Sequence, residues 1–590
     1  MTISIDRFRS RAWRCALTAL ATATAVACDD GAQGTDAADG DTPMDADADA
    51  NPEADGAADA DADVPVEADA DASADADADG GPSLGCGVLD CGASTGATRE
   101  VAPTDDLQAA LDAAAPGDTL VLRAGASYRG HFVLRAKAGD GCITIRTSTP
   151  DAELPPGVRV GPADAPRLAR LTTPGSGLPA LRTEPRAHHY RLVGLELLPE
   201  APTSEVYEVL ALGSNGDDQQ TLEDVPHHLV VDRCFVHGWP DANFKRGIAL
   251  NAASVCVIDS TVSDFHSDFQ DSQALGGFNG PGPFRIVNNR LEGAAENVMF
   301  GGAVPAISGL VPSDIELLRN HLVKPWAWRA GDPANTGYVP WVKNLFEIKN
   351  GRNVRLDGNL LEHNWVGADQ HGVAIVLTPR GEDGAAPWAT VEHVTIINNV
   401  IRHVGGVAIL GRDTGGASGQ STGITIANNL FEDVRAEYAF DLVRVFQFTE
   451  VAGLVIEHNT FAYDGPDFPI FRTYGAATTG FRYADNLVPY GDGAWADCGT
   501  DAAALACLLP AGVFAGNLVI GGGAATLPAG NHFPENVAAV GFVDYAAGAA
   551  DYHNYALAPG SPYAGGATDG SDPGIDVAAL DAARGTSAPP

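Results

Sequence analysis

One eight-residue pattern recurs along the chain: apolar, any, apolar, any, any, Asn, any, apolar. Its copies are Phe284/Ile286/Asn289/Leu291, Ile315/Leu317/Asn320/Leu322, Val354/Leu356/Asn359/Leu361, Val394/Ile396/Asn399/Ile401, Ile424/Ile426/Asn429/Phe431, Leu454/Ile456/Asn459/Phe461 and Phe481/Tyr483/Asn486/Val488. Degenerate copies precede them at Tyr190/Leu192/Leu195/Leu197 and Val255/Val257/Ser260/Val262. Apolar residues two positions apart predict a strand with one buried face. The Asn that follows tolerates a left-handed turn and can hydrogen-bond to a stacked neighbour.

The spacing of these Asn residues indicates a solenoid. Successive copies are 31, 39, 40, 30, 30 and 27 residues apart, and a fixed module separated by loops of variable length is typical of a coil repeat. An apolar period of two excludes helical repeats, and propeller blades need four strands at a longer period. The Asn positions are therefore interpreted as structural.

The repeat resembles the right-handed parallel β-helix, or pectin-lyase-like, superfamily over residues 100–590, including the closing segment 557–562 with the sequence LAPGSP. The resemblance implies an all-β fold, a solenoid of about ten coils within a domain spanning residues 86–590. A short helix that follows the capping segment Thr104-Asp105-Asp106 and ends at Pro116-Gly117 is expected to cover the open end of the core, at about residues 100–118. A loop-rich part is expected at about residues 490–590.

The N-terminal region predicts export. Residues 1–27 combine a basic start with a short apolar run, as a signal peptide does, and end in Ala25-Val26-Ala27-Cys28, which resembles the bacterial lipobox. Acylation of Cys28 would anchor the protein in the cell envelope, facing the periplasm or the cell surface. The alternative is a plain signal peptide cut after Ala27.

Residues 28–85 are expected to form a disordered linker. Residues 29–80 hold 19 acidic residues and no Lys or Arg, so they repel one another and offer little to bury. A low-affinity calcium store is the alternative, but calcium sites need converging ligands.

The charge of the chain limits its partners. The formal net charge is −41; residues 1–28 carry +3 and residues 29–80 carry −19, which leaves −25 on the remaining 510 residues. Without a basic surplus the chain is not expected to bind nucleic acid. The absence of an apolar run of about 18 residues argues against a polytopic membrane protein. We expect a monomer whose partner is a polysaccharide.

The nine cysteines suit an exported protein with disulfides. Proximity in the sequence predicts two bridges, Cys86–Cys91 and Cys498–Cys507. The remaining cysteines of the folded part lie in apolar, strand-like contexts and are expected to be buried thiols: Cys142, Cys234 and Cys256. The sequence contains no zinc-binding signature.

The two longest coils, Asn320 to Asn359 and Asn359 to Asn399, contain five of the eight Trp residues: Trp326, Trp328, Trp341, Trp365 and Trp388. Indole faces in a groove suit sugar rings, so these residues are candidates for binding substrate. The alternative is that they fix long loops to the coil.

Charged and amide residues of neighbouring coils are expected on one outer groove, because stacked coils lie only about 4.8 Å apart. Lys343, Asn344, Glu347 and Lys349 loosely resemble the calcium and base region of the alginate and chondroitin lyases of this superfamily. That resemblance implies β-elimination on a uronate polysaccharide, with the sugar carboxylate neutralised by calcium or by cations. The candidate residues are Lys349, Lys343, Arg380 and Arg412 for catalysis, Gln273 for substrate binding, and Asp271, Glu296, Asn344 and Glu347 for Ca²⁺.

Three alternatives use the same residues. The charged residues could form a salt-bridge ladder between coils without catalysis. Asp271, the segment around Glu296 and Arg412 are similar to the acidic and Arg motifs of pectin methylesterases, which would make the chain a carbohydrate esterase. The chain could also be a surface protein that binds glycan without turning it over.

Overall fold

The computed structural model describes residues 85–585 except residues 369, 413–417, 440–443 and 464–467. Cys28, the predicted signal peptide 1–27 and linker residues 28–84 lie outside the described residues. Within the described ranges, no helix combines the length and hydropathy needed to cross a bilayer.

Strands are the main regular structure of the described residues. In chain order the strands are β1 Thr98–Val101, β2 Thr119–Leu122, β3 Ser127–Arg129, β4 Phe132–Leu134, β5 Ile143–Thr147, β6 Ala169–Thr173, β7 Leu181–Thr183, β8 His188–Val193, β9 Leu195–Pro199, β10 Glu208–Gly213, β11 His227–Asp232, β12 Phe235–His237, β13 Arg246–Asn251, β14 Ala253–Ile258, β15 Thr261–Phe265, β16 Gln273–Gly277, β17 Phe284–Val287, β18 Arg290–Gly293, β19 Glu296–Phe300 and β20 Ser313–Leu318. They continue as β21 His321–Val323, β22 Asn344–Ile348, β23 Gly351–Asp357, β24 Leu360–Asn364, β25 Val373–Leu377, β26 Val391–Ile397, β27 Val400–Val404, β28 Gly406–Gly411, β29 Thr422–Ala427, β30 Leu430–Val434, β31 Arg444–Thr449, β32 Ala452–Glu457, β33 Thr460–Ala462, β34 Phe471–Thr473, β35 Arg482–Ala484, β36 Leu487–Pro489, β37 Ala494–Ala496, β38 Gly499–Thr500, β39 Val513–Ala515 and β40 Leu518–Ile520.

The described residues also contain three helices: α1 Leu107–Ala113, α2 Ala502–Leu508 and α3 Val577–Arg584. The short 3₁₀ segments are Gly87–Leu89, Pro162–Arg167, Leu222–Asp224, Trp326–Trp328, Glu382–Gly384, Ala436–Tyr438, Val537–Ala539, Tyr545–Ala550 and Tyr552–Tyr555.

The strands form three long sheets of 14, 13 and 13 strands in the described residues. The first sheet runs β1-β2-β5-β8-β11 and on to β39, the second runs from β4 through β13, β16, β19, β22 and β25 to β38, and the third runs from β3 to β40. Through the middle of the chain each turn adds one strand to each sheet in parallel pairing, as β17, β18 and β19 show. The fold is therefore a parallel β-helix, as the repeat predicts.

The core follows from the period of two. In β29, Ile424 and Ile426 are fully buried while Thr425 between them is half-buried, and this pattern is stacked coil upon coil inside the solenoid. The predicted capping helix is present as α1, whose N-terminus is capped by Asp106 accepting from the Ala109 backbone N–H. The buried side chains of Leu107 and Leu111 join the same core, so α1 covers apolar surface at the first turn.

The repeated Asn residues form one continuous ladder, called here the asparagine ladder: Asn289, Asn320, Asn359, Asn399, Asn429, Asn459, Asn486, Asn517 and Asn531. At each step the backbone N–H and the side-chain Nδ2 of one Asn donate to the Oδ1 of the next, as Asn359 does to Asn399 at 2.8 and 2.9 Å. The Asn359 Nδ2 also donates to the Leu317 carbonyl at 2.8 Å. The structural role predicted for these positions is confirmed, and the ladder extends to two Asn residues beyond the repeat.

The C-terminal part folds back along the outside of the third sheet. Leu580 of α3 packs against Leu360, Val400 and Leu430, which head three successive strands of that sheet. The Arg319 Nε donates to the Ala583 carbonyl at 2.6 Å. This arrangement covers apolar positions that a bare solenoid would expose.

The cysteine pairing differs from the prediction at the N-terminal end. Cys86 bonds to Cys256 and Cys91 to Cys142, so the predicted Cys86–Cys91 bridge is wrong and Cys142 and Cys256 are not free thiols. The physical reason is that residues 86–91 lie across the outer face of the first sheet, where they pack with Val230 and Ile258. Their partners are Cys256 on β14 and Cys142 directly before β5, which sequence proximity cannot reveal.

The other cysteines of the described residues match the prediction. Cys498 bonds to Cys507, and Cys234 is a buried free thiol. Burial raises the pKa of Cys234 to about 12, so this thiol is unreactive at neutral pH.

Candidate functional site

A row of polar side chains crosses the second sheet at the beginning of four successive strands. Arg246, Gln273, Glu296 and Asn344 are register partners on β13, β16, β19 and β22. Together with Asp271, Lys343, Glu347 and Lys349 they form what we call the polar strip. The sequence predicts most of this grouping, and the structure brings those residues together.

Hydrogen bonds connect the strip from coil to coil. The Arg246 Nε and Nη2 donate to the Gln273 Oε1 at 3.2 and 3.0 Å, and the Gln273 Nε2 donates to the Glu296 Oε2 at 2.9 Å. The Asn344 Nδ2 donates to the Glu347 Oε2 at 3.1 Å. Gly276 leaves room for this network, because a Cβ there would lie 2.7 Å from the Arg246 Nε.

Glu296 is the centre of the strip and its least satisfied member. The residue is 0% exposed, and its Oε1 has no hydrogen-bond partner. Burial, then the nearby charges of Asp271 and Glu347, raise the pKa of Glu296 to about 8. A buried carboxyl without a full set of partners lowers stability.

Two lysines supply positive charge beside it. The Lys343 Nζ lies 2.8 Å from the Asp271 Oδ2, and the Lys349 Nζ lies 3.3 Å from the Glu347 Oε1. Burial lowers the pKa of Lys343, but the charges of Glu296 and Asp271 outweigh it and raise the net value above the ordinary one. Glu347 in turn raises the pKa of Lys349. Both side chains are therefore ammonium ions, which suits binding of a carboxylate better than abstraction of a proton.

A third lysine lies beneath the strip. Lys324 is 0% exposed, and its Nζ donates to the carbonyls of Gly293, Ala295 and Asn344 and to the Asn297 Oδ1, at 2.8 to 3.3 Å. Burial lowers the pKa of Lys324 to about 7, while four oxygen acceptors favour its ammonium form. The lysine joins the backbone around Glu296 to the start of β22.

The two predicted arginines lie further along the same sheet. Arg380 follows β25 on an exposed loop, and its backbone N–H donates to the Lys349 carbonyl at 2.8 Å. Arg412 follows β28 and pairs with Glu450 at 3.3 Å. Arg380 thus lies next to Lys349, whereas Arg412 pairs away from Asp271 and Glu296 and does not complete the esterase-like arrangement.

Most of the tryptophans hold loops in place. Trp328 and Trp365 are buried in a cluster with Val342 and Tyr438, and Trp326 packs against this cluster. Trp388 is half-buried and donates from Nε1 to the Leu310 carbonyl at 3.2 Å. These four residues follow the loop-fixing alternative. Trp341 is 40% exposed, so its ring remains a candidate surface for a sugar.

The predicted calcium ligands do not converge. Asp271 and Glu347 are engaged by lysines, and only the Glu296 Oε1 and Asn344 Oδ1 lack partners. In the described part of the chain, the groups of three metal-ligating side chains with atoms within 4.8 Å of one another lie elsewhere and contain histidine. As arranged, the strip does not fit Ca²⁺, and its lysines carry the positive charge instead.

Sequence reasoning missed two members of this region. Arg246 begins β13 and Lys324 follows the apolar run of β21. A lysine directly after an apolar strand is an unusual signal, since buried lysines require partners. Nothing in the sequence indicates that those partners are backbone carbonyls from two other strands.

Comparison with known proteins gives similarity in structure alone. No family model matches the chain, and no curated protein matches it. The structure is similar to an alginate lyase from Paenibacillus sp. str. FPU-7, with a TM-score of 0.34, 14% identity, and 60% of this chain and 98% of that one covered. It is also similar to a mutant of the PL6 family alginate lyase AlyGC, with a TM-score of 0.46, 14% identity, and 84% and 59% covered. For pectate lyase Pel9A the TM-score is 0.33 at 11% identity, with 82% and 97% covered. The class of the protein, a parallel β-helix, is defined by its own three sheets.

Proposed function

We propose that the polar strip binds an acidic, uronate-containing polysaccharide and cleaves it by β-elimination. The observation that carries this proposal is Glu296, a fully buried carboxyl with one unpaired oxygen between two lysines. A network that serves stability alone would satisfy each buried polar atom, because one left without a hydrogen-bond partner costs about 1–3 kcal/mol. Polar groups kept at such a cost are typical of functional sites.

The distribution of lysines supports an anionic substrate. The chain has five lysines, and four of them lie in or beside the strip: Lys245, Lys324, Lys343 and Lys349. Residues 81–590 carry a net charge of −25 and repel a polyanion at long range. Binding therefore depends on local positive charge. Lys343, Lys349 and the neighbouring Arg380 provide it.

The chemistry can be assigned to groups within reach of Lys349. Binding of the uronate carboxylate to Lys349 and Arg380 makes the proton on the adjacent carbon more acidic. That proton passes to a base, the bond between the next carbon and the glycosidic oxygen breaks, a carbon–carbon double bond forms, and the departing oxygen takes up a proton. We assign the base to Glu347, which contacts the Lys349 Nζ at 3.3 Å, and the proton donor to Lys349. No step uses calcium.

The test is turnover of acidic polysaccharides, followed by the ultraviolet absorbance of the unsaturated product. Lys349→Ala should lose activity by at least about 100-fold. Removing Lys349 also leaves the buried Glu347 carboxylate without its lysine partner at 3.3 Å, so the unfolding free energy should fall by about 3–5 kcal/mol, and turnover is compared under conditions in which the variant is folded. Lys137→Ala is the matched control, since the Lys137 Nζ donates to the Asp112 carbonyl of α1, which is not part of the polar strip. Unchanged turnover in Lys349→Ala would show that the strip is a structural ladder.

The second candidate function is binding without turnover, favoured by the exposed ring of Trp341. Trp341→Ala should weaken glycan binding by about 1–2 kcal/mol if the ring stacks on a sugar. Trp495→Ala is the control, because Trp495 is 39% exposed and lies on β37, in the sheet that carries the polar strip. Binding that is lost only in Trp341→Ala, without unsaturated product from the parent, would support a binding protein and contradict the lyase.

We also propose that the protein is held in the cell envelope through acylated Cys28. The support is the basic start, the short apolar run and the lipobox-like end of residues 1–28. Cys28→Ser should move the protein from the membrane to the soluble fraction. A variant that still sediments with membranes would place the anchor elsewhere.

A further inference from the structure

Four histidines form a compact group at the beginning of two adjacent strands of the first sheet. His188 and His189 begin β8, His227 and His228 begin β11, and His188 is the register partner of His227. We call these residues the His tetrad. They lie outside the polar strip, which is on the second sheet, and the proposed lyase chemistry does not use them.

The parallel register stacks the imidazole rings in two columns. His188 lies over His227 with ring centroids 4.9 Å apart and planes 3° apart, and His189 lies over His228 at 4.6 Å and 5°. Within each coil the two rings face each other through nitrogen: the Nδ1 atoms are 2.8 Å apart in the first pair and 2.7 Å apart in the second. The four rings are half-buried, and the carboxylate of exposed Asp140 lies beside His188 and His189.

The ligand atoms of this group are close enough to share an ion. Those of His189, His227 and His228 lie within 4.8 Å of one another, as do those of Asp140, His188 and His189. In a tetrahedral site with metal–nitrogen distances of about 2.0–2.1 Å, neighbouring ligands are about 3.3 Å apart. Side-chain rotations that move each ligand nitrogen by about 1 Å therefore suffice to bring three rings onto one ion.

From this geometry we propose that the His tetrad binds one divalent transition-metal ion such as Zn²⁺, with His189, His227 and His228 as its ligands and Asp140 beside His189. Neutral imidazole is a borderline ligand that suits Zn²⁺, Ni²⁺ and Cu²⁺ rather than Ca²⁺ or Mg²⁺. The column of histidines is confined to two coils, because the next register partner of His227 is Ala253. A repeated surface ladder does not produce that restriction, whereas a single binding site does.

The other histidine-containing group is already occupied by protein charges. Glu362, His363 and His403 also have ligand atoms within 4.8 Å of one another. However, the Arg402 Nε donates to the Glu362 Oε2 at 2.7 Å, and the Glu362 Oε1 contacts the His321 Nε2 at 2.8 Å. A metal ion would have to displace a guanidinium, so this group is the less suitable of the two.

The test is Zn²⁺ binding to the purified chain without a polyhistidine tag, by competition with a chromophoric chelator. His189→Asn and His228→Asn should each weaken binding at least about 100-fold, more than the loss usual for residues that only support ligands. Asn is chosen because both backbones are left-handed, with φ of 57° and 55°, which Asn tolerates. His393→Asn is the matched control, being left-handed at φ 52° on β26 of the same sheet.

A second measurement separates loss of the site from loss of the fold. Saturating Zn²⁺ should raise the melting temperature of the parent and of His393→Asn but not of His189→Asn, because a ligand stabilises only the state that binds it. Without metal, the three proteins should have the same melting temperature. If the parent binds Zn²⁺ no more tightly than His189→Asn, or if His363→Asn is the variant that loses binding, the proposal is overturned.

Discussion

The molecule contains two polar networks that run across its coils, the asparagine ladder and the polar strip, and they differ in completeness. In the ladder each Oδ1 from Asn320 onward accepts two hydrogen bonds, the Asn289 Oδ1 accepts one from the Ser260 backbone N–H, and each Nδ2 donates at least two, as Asn399 illustrates. In the strip, Glu296 and Asn344 each retain a buried oxygen without a partner. Both networks are buried, and only one is satisfied.

The difference separates a structural network from a candidate site. A satisfied network of neutral amides holds stacked coils in register at little electrostatic cost. A strip that combines unpaired carboxyl oxygen with ammonium groups lowers stability, and its retention suggests that binding or chemistry depends on it. Variants in the two networks should therefore change stability in opposite directions.

The largest change in stability is expected from a substitution at the centre of the asparagine ladder. Asn399→Ala removes the acceptor of the Asn359 backbone N–H and Nδ2, and the donor to the Leu356 and Ile397 carbonyls. Leaving several buried groups unpaired should lower the unfolding free energy by about 3–5 kcal/mol, measured by urea denaturation. Asn353→Gly is the control: Asn353 is exposed with φ of 53°, so the change should stay within about 0.5 kcal/mol.

The second effect is expected at Glu296, with the opposite sign. Folding raises the pKa of Glu296 from its ordinary 4.5 to about 8. Between these values the folded protein keeps a proton that the unfolded chain has released, so this group lowers stability progressively as pH rises through the window. Glu296→Gln removes that loss and should exceed the parent by about 1–4 kcal/mol at pH 8, with a smaller difference at pH 5.

Denaturation of both proteins at pH 5, 6.5 and 8 measures this prediction. The difference should grow with pH and level off above about 8. A variant that is less stable than the parent at each pH would mean that Glu296 is an ionised rung of a salt-bridge ladder, and the contrast between the two networks would fail.

The smallest effect is expected at the end of the ladder. Asn531 accepts from the Asn517 backbone N–H and Nδ2 but is itself half-buried. In Asn531→Ala, water can replace some of the hydrogen bonds that the side chain made. The unfolding free energy should therefore fall by about 1 kcal/mol, well below the loss in Asn399→Ala. Equal losses of unfolding free energy at Asn399 and Asn531 would show that burial does not determine how much each Asn of the ladder contributes to stability.

The candidate site was only partly predictable. Lys343, Asn344, Glu347 and Lys349 lie in one short segment, and stacking of coils places Asp271, Gln273 and Glu296 beside them as expected. The sequence did not indicate that Trp328 and Trp365 are buried, that Arg412 pairs with Glu450, or that Lys324 lies beneath Glu296. Each of these outcomes depends on the path by which a long loop returns to the coil. The length of a loop does not specify that path.

The amino-acid sequence by itself determined the solenoid, because an apolar period of two followed by Asn is a local signal that each coil repeats. Tertiary structure alone decided which residues of different coils meet: Cys86 with Cys256, Glu296 between two lysines, and four histidines in two stacked columns. The physical reason is that parallel stacking joins residues one or more coils apart, and the register between coils is set by the packed core rather than by spacing along the chain.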